Sequence, residues 1–248
     1  IDFANGDARR ALNTLEIASG LARTKIITME NVQEALQKRT LFYDKSGEEH
    51  FNLISALHKS LRNSDVDAAL YWLVRMLASG EDPLYVARRL VRFASEDIGL
   101  ADPQALALTL HAKEAYDFLG TPEGELALAE AVVYLATAPK SNRVYVAYGA
   151  VQKEIERSPH EPVPMQIRNA VTSLMKEIGY GQDYKYAHDS ALSTTDMETM
   201  PERLRGRRFY EPGNLGFEKE VRKRIEWWEG LKARLKAGKG GDGPEKPD

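Results

Sequence analysis

Between Ser64 and Gly120 the chain writes the start and stop of three consecutive helices into its own sequence, and this constrains its fold more than any other feature. Ser64-Asp65 opens a helix that Gly80 closes, Asp82-Pro83 opens one that Gly99 closes, and Asp102-Pro103 opens one that runs to Gly120. Each start offers a side-chain oxygen to the orphan N–H groups of a first turn, and two place proline at the first helical position, where its missing N–H costs nothing. Each stop is a glycine able to turn left-handed. Val66, Ala69, Leu70, Leu73 and Leu77 recur at helical spacing in the first segment, as do Leu84, Ala87, Val91, Ala94 and Ile98 in the second. The links between them are short enough to force the helices to pack as neighbours.

The same signals extend outward. A helix is expected from Asp7 to Ala18, with Ala8, Ala11, Leu12, Leu15 and Ala18 inward, Asn5 as cap and Gly20 as stop. Thr28 caps a second, with Val32, Ala35 and Leu36 inward. Leu41 to Gly47 is a polar connector, followed by a helix over Glu49 to Leu61 with a wide stripe of Phe51, Leu53, Ile54, Leu57 and Leu61. Beyond Gly120, Thr121-Pro122 starts a helix through Ala138, and Ser141 starts another through Arg157 with Val144, Ala147, Val151 and Ile155 as its core face. Three prolines break the pattern between Ser158 and Pro164. A helix over Pro164 to Ile178, an irregular stretch rich in tyrosine and glycine, and a last helix from Phe217 to Ala237 complete an all-α reading. Divisions fall near residues 40 and 158, and no internal repeat supports a solenoid.

Composition narrows the chemistry. The 248 residues contain no cysteine, which removes disulfides, thiolate metal sites and thiol nucleophiles together. No apolar run approaches the roughly 20 residues that a membrane helix needs, so a cytoplasmic protein without a membrane partner is expected. The net charge of −3 hides an asymmetry: residues 201–248 hold 13 Lys/Arg against 9 Asp/Glu, and the rest hold 21 against 28. A mildly basic tail on an acidic body is compatible with a nucleic-acid or acidic-protein partner. The chain opens on Ile1 and enters a helix almost at once, and reads as a segment of a longer protein.

No phosphate loop, His-Glu-x-x-His or Gly-x-Ser-x-Gly pattern occurs, the histidines are scattered, and no metal site is expected. Three groups of residues remain. Arg9 and Arg10 stand at a helix N-terminus, where cations oppose the macrodipole, as a solvated face or as a site for an anion. Arg88, Arg89 and Arg92 precede Glu96 and Asp97 in the unfavourable Arg-before-acid order, either as a local network, Arg92 to Glu96 at four residues, or as charges satisfied by another helix or subunit. Tyr184 and Tyr186, with Arg205, Arg207 and Arg208, have the aromatic-plus-basic composition of a single-strand binding surface. The competing reading is a loop that docks its tyrosines on the helical body.

Several stretches together resemble one family: Gly6-Asp7-Ala8-Arg9-Arg10-Ala11-Leu12-Asn13, Tyr43-Asp44-Lys45 with Asp65 to Trp72, Arg88 to Pro103 including Ser95-Glu96-Asp97-Ile98-Gly99-Leu100-Ala101-Asp102-Pro103, and Arg168 to His188 with Gly206 to Pro212. The chain resembles the C-terminal half of the RarA or MgsA replication-associated recombination ATPases, related to the Werner-helicase-interacting ATPase. The resemblance implies an AAA+ protein whose nucleotide core precedes Ile1. Residues 1–40 would belong to its helical lid, 41–158 to a clamp-loader-collar-like oligomerisation domain, and 159–248 to a C-terminal region with a frayed tail. It implies Arg9 as the sensor-2 arginine, ATP and magnesium as cofactors of the full-length protein, and neither for this segment alone. Catalytic residues would lie outside the segment. Implied partners are further copies of itself in a homotetramer, DNA ends or single-strand gaps, and single-strand-binding protein, in a nucleoid-associated cytoplasmic setting at stalled forks. The alternative is a stand-alone helical scaffold or nucleic-acid-binding module without nucleotide chemistry.

Overall fold

The computed structural model describes residues 8–22, 26–40, 48–190 and 193–238, which hold ten α-helices and no strand. They divide into two compact units, one of residues up to Ala94 with Ala105–Ala138, the other of Ser95–Gln104 with the chain from Pro139 onward.

In the first unit, α1 (Ala8–Leu21) packs against α2 (Met29–Thr40). Thr28 and Asn31 cap α2 reciprocally: Thr28 N donates to Asn31 Oδ1 at 3.0 Å and Asn31 N to Thr28 Oγ1 at 3.3 Å. Ala18 and Ala35 are buried as expected, but Leu12 and Leu15 are 65% and 46% exposed, so the inward face of α1 is narrower than its periodicity predicts. Next, α3 (Glu48–Arg62) pairs with α4 (Val66–Ala78), and α7 (Glu125–Thr137) packs against α3, α4 and α5 (Pro83–Phe93). The caps act as the sequence specifies: Asp65 accepts from Ala68 N and Asp82 from Leu84 N, each at 3.0 Å.

Leu57, Leu61, Leu73, Met76, Leu90, Phe93, Leu128 and Leu135 make a dry core, each contributing about 1.5–3 kcal/mol by leaving water. Glu81 is buried at its edge, accepting from Asp82 N at 2.9 Å and pairing with His50 Nδ1 at 2.6 Å, which ties α3 to the α4–α5 link.

Where α6 (Gln104–Leu119) meets α7, the expected start at Thr121-Pro122 moves to Glu125. Thr121 Oγ1 lies 3.1 Å from Tyr116 Oη instead of capping a helix, and Gly124 passes so close to Gly120 O and Tyr116 that a Cβ there would collide.

The second unit begins with a widened helix. The α geometry expected to continue to Gly99 stops at Phe93, and Ala94–Ile98 form a π-helical turn followed by a 3₁₀ turn at Gly99–Ala101. Asp97 O, an orphan carbonyl of this helix end, accepts from Ser141 N at 2.8 Å. The 3₁₀ turn packs on α8 (Arg143–Arg157). Phe217 N donates to Ala101 O at 2.8 Å to start α10 (Glu218–Lys236). Gly216, at φ +54°, allows this approach, since a Cβ would run into Ala101 O and Pro139.

Glu218, fully buried, joins three chain segments. Its carboxylate accepts from Ser141 Oγ at 2.6 Å, Gly213 N at 2.8 Å and Tyr210 Oη at 2.9 Å. Burial and this hydrogen bond push the Tyr210 phenol up to about 12, so it stays a donor.

On α8 the expected core face is corrected: Ala147 is buried, Val144 and Ile155 are 40% and 58% exposed, and Glu154 points inward at 4%. Glu154 is tolerated there because Arg203 Nη2 at 2.5 Å and Arg207 Nη2 at 3.0 Å meet its two oxygens, Arg203 also binding Glu161. The hydrogen bond from Arg203, with the Arg207 charge, holds the Glu154 carboxyl below its ordinary range against the opposing effect of burial.

The helix expected over Pro164 to Ile178 does not form. Met165–Ile167 make a single 3₁₀ turn, Arg168 is extended, and only Ser173–Glu177, α9, is α-helical. Thr172 is the competing cap, its hydroxyl accepting from Met175 N at 3.2 Å. Val171, Leu174 and Ile178 are 82%, 62% and 57% exposed, so too little of the stripe is covered to hold a longer helix together.

Two outcomes are expected. Glu218→Ala leaves three donors without their acceptor and should lower stability by about 3 kcal/mol, with Glu218→Gln losing less, as read by urea unfolding; equal stability of Glu218→Ala and wild type would contradict the anchoring role. Because Glu154 binds its proton more weakly folded than unfolded, its contribution is complete above the ordinary glutamate value and disappears as pH falls through the lowered folded one. Urea midpoints should therefore fall more steeply on acidification in wild type than in Glu154→Gln, and parallel profiles would refute the linkage.

Candidate functional site

The sequence candidates separate into three places. Arg9 lies on α1, but its side chain, like that of Arg10, falls outside the described residues. Arg88, Arg89 and Arg92 sit on α5, with Arg88 and Arg92 exposed and Arg89 half-buried, its Nε buried without a hydrogen-bond partner among the described residues. Glu96 and Asp97 are half-buried in the π-helical turn.

Asp97 opens onto a cleft of about 350 Å³ that the sequence reading missed, shared with Lys140, Ser141, Asn142, Arg143 and Glu218. Burial lowers the Lys140 ammonium from its ordinary value while Asp97 opposes that shift. The available signal was the run Lys140-Ser141-Asn142-Arg143, polar residues gathered just before a helix. Its significance depends on Gly213 and Glu218, which only the fold brings there.

The aromatic-plus-basic stretch resolves into arginines with acidic partners and tyrosines without. Arg207 binds Glu154, Arg208 Nη2 lies 2.5 Å and 2.6 Å from the two oxygens of Glu229, and Arg205 reaches Glu202 at 3.4 Å. Each guanidinium is about half exposed yet compensated. Tyr184 and Tyr186 stand 53% and 54% exposed, the latter with its ring 5.2 Å from that of His188.

Beside Tyr184 is a second cavity, about 580 Å³, lined also by Arg168, Lys176 and Tyr180. Arg168 Nε donates to Val163 O at 2.6 Å and Nη1 to Tyr180 Oη at 3.2 Å, with the guanidinium carbon 5.1 Å from the Tyr180 ring centre. Gly181 N donates to Met165 O at 3.0 Å, folding the Gly179-Tyr180-Gly181 turn back onto the segment that carries Arg168.

Among the described residues no three His, Asp or Glu side chains converge as metal ligands, and no helix is long and apolar enough to cross a membrane.

Comparison with known proteins places these features in a family. Residues 63–229 match the family model described as MgsA AAA+ ATPase C terminal, and residues 1–62 that described as AAA C-terminal domain. The chain is 48% identical over 241 residues to Replication-associated recombination protein A of Coxiella burnetii, covering 95% of this chain and 55% of that protein. It is 45% identical over 232 residues to the protein of the same name in Escherichia coli K12, covering 91% and 52%. To ATPase WRNIP1 of Dictyostelium discoideum it is 42% identical over 232 residues, covering 85% and 26%. It spans about half the length of the bacterial relatives. With an all-helical fold and a family match across most of its length, the chain belongs to the MgsA family of AAA+ ATPases, as its C-terminal part.

Proposed function

We infer that this chain is the lid and oligomerisation region of an AAA+ ATPase that acts on DNA at stalled replication forks. The observation that carries the reading is the tiling of the chain by two AAA-associated family models, one over residues 1–62 and one over 63–229. Relatives named for replication-associated recombination support the cellular setting. A stand-alone helical module without nucleotide chemistry leaves the match over residues 1–62 without a purpose.

In this reading ATP and magnesium bind an upstream core, and Arg9 reaches the γ-phosphate from the lid. A guanidinium held at a helix N-terminus is unfavourable for the helix itself, and supplies fixed positive charge where phosphate charge develops. Leu12 and Leu15 on α1, three residues apart and exposed in this chain, offer an apolar surface suited to packing against such a core. The chain assembles as a homotetramer, with Arg88, Arg89, Arg92, Glu96 and Asp97 setting the geometry of the contact. It works in the nucleoid-associated cytoplasm on DNA ends or single-strand gaps with single-strand-binding protein.

Two measurements test this. The chain alone should not hydrolyse ATP, whereas joining it to the upstream core should give turnover that Arg9→Ala lowers by about 10- to 100-fold, the worth of one charge-assisted hydrogen bond at the transition state. Turnover by the purified segment would refute the assignment, and an unchanged rate in the Arg9→Ala long form would refute the role of Arg9. Sedimentation should find a tetramer that Glu96→Lys disrupts, since breaking a buried pair costs about 3–5 kcal/mol against about 1 kcal/mol or less for an exposed one. A monomer at tens of micromolar would exclude assembly through this region, and an unperturbed Glu96→Lys tetramer would place the interface elsewhere.

A further inference from the structure

We propose that the cavity framed by Arg168, Lys176, Tyr180 and Tyr184 seats one nucleotide of a single-stranded nucleic acid, its phosphate at the two cations and its base on Tyr184. This rests on the DNA-acting reading above, and it moves the contact away from Arg205, Arg207 and Arg208.

The first argument is the balance of charge. Among the described residues the cavity is lined by two cations and by no Asp or Glu. The cleft at Lys140 includes Asp97 and Glu218, and the cavity that shares Gln166 and Met197 with this one includes Asp183 and Asp196. Among the described residues Arg168 bonds a backbone carbonyl and a phenol, neutral groups that orient its guanidinium without cancelling its charge. Lys176 forms no ion pair among the described residues. A fixed guanidinium with neutral partners keeps its attraction for phosphate, whereas Arg207 and Arg208 would have to leave Glu154 and Glu229 first.

The second argument is shape. Tyr180 is covered on one side by Arg168, and Tyr184 offers a half-exposed ring on the same cavity. Tyr186, two residues further on, carries another exposed ring, 5.2 Å from that of His188. Stacking on such rings tolerates any base. The volume of about 580 Å³ is of the size that holds a small polar molecule. An acidic peptide would use the cations alone, while the ring of Tyr184 and the flanking amides of Gln166 and Asn169 match a planar base with hydrogen-bonding edges.

Fluorescence anisotropy of the 248-residue chain with a labelled oligo-dT tests the inference, using a strand of about 15 nucleotides. Tyr184→Ala should weaken binding about tenfold, and Lys176→Gln should weaken it and reduce the slope of log affinity against log salt by about 0.7. Both side chains are exposed, so thermal melting should not move. Arg208→Gln should stay within about twofold of wild type. If wild type binds and neither Tyr184→Ala nor Lys176→Gln changes affinity, the nucleotide seats elsewhere and the DNA-acting reading stands. If wild type binds no oligo-dT even at low salt, both fall. Binding of a poly-glutamate peptide but not of oligo-dT, abolished by Lys176→Gln, would overturn the proposal in favour of a protein-docking site.

Discussion

Buried carboxylates hold the second unit together. Among the described residues from Ser158 to Phe217 the chain has only single 3₁₀ turns and the five-residue α9, too little regular structure to bury a broad apolar face. Glu218 and Glu154 act where a core would otherwise be needed. One collects a hydroxyl, a phenol and a backbone amide, and the other two guanidiniums, each drawing irregular chain onto a regular helix. A buried carboxylate is costly unless every lone pair has a donor, so these contacts specify one path for the loop rather than many.

That arrangement bears on function by consuming charge. The basic excess of the C-terminal stretch looks like a surface for anions, yet Arg203, Arg207 and Arg208 are turned to glutamates by the fold itself. The proposed nucleotide seat draws its positive charge from Arg168 and Lys176 instead, on a cavity with no acidic side chain among its described lining residues. The first unit obeys different physics: its helices are long, their caps are made, and leucine and phenylalanine burial stabilises them, with His50–Glu81 at the edge of the core and Lys113–Asp117 on the exposed face of α6.

The π-helical turn at Ala94–Ile98 falls within one of the stretches that carry the family resemblance, Arg88 to Pro103. Widened turns frequently accompany functional sites. Here the wider turn presents Asp97 with its carbonyl committed to Ser141 N and its side chain on a polar cleft. Spacing alone treats Glu96 and Asp97 as last-turn residues of a regular helix, and their placement in a wide turn is the physical distinction.

Much of the fold was legible because its determinants are local. Asp65, Asp82 and Thr28 cap the helices they precede, and Gly80 at φ +84° and Gly120 at φ +73° turn where the sequence places stops. A cap or a left-handed glycine acts within one turn of itself, so a few residues suffice to read it. The helix over Pro164 to Ile178 was misread because periodicity shows which face would be buried, not whether anything lies there to bury it. The inward turn of Glu154, the pairing of the arginines and the meeting of Arg168 with Tyr180 were likewise hidden, since each depends on a partner distant in sequence. The sequence by itself determined most of the helices, and those ends where a cap or a left-handed glycine acts within one turn. Tertiary structure alone decided which charges are neutralised and which stay open to a ligand, because electrostatic compensation is set by distances of a few ångströms between segments that the chain order keeps far apart.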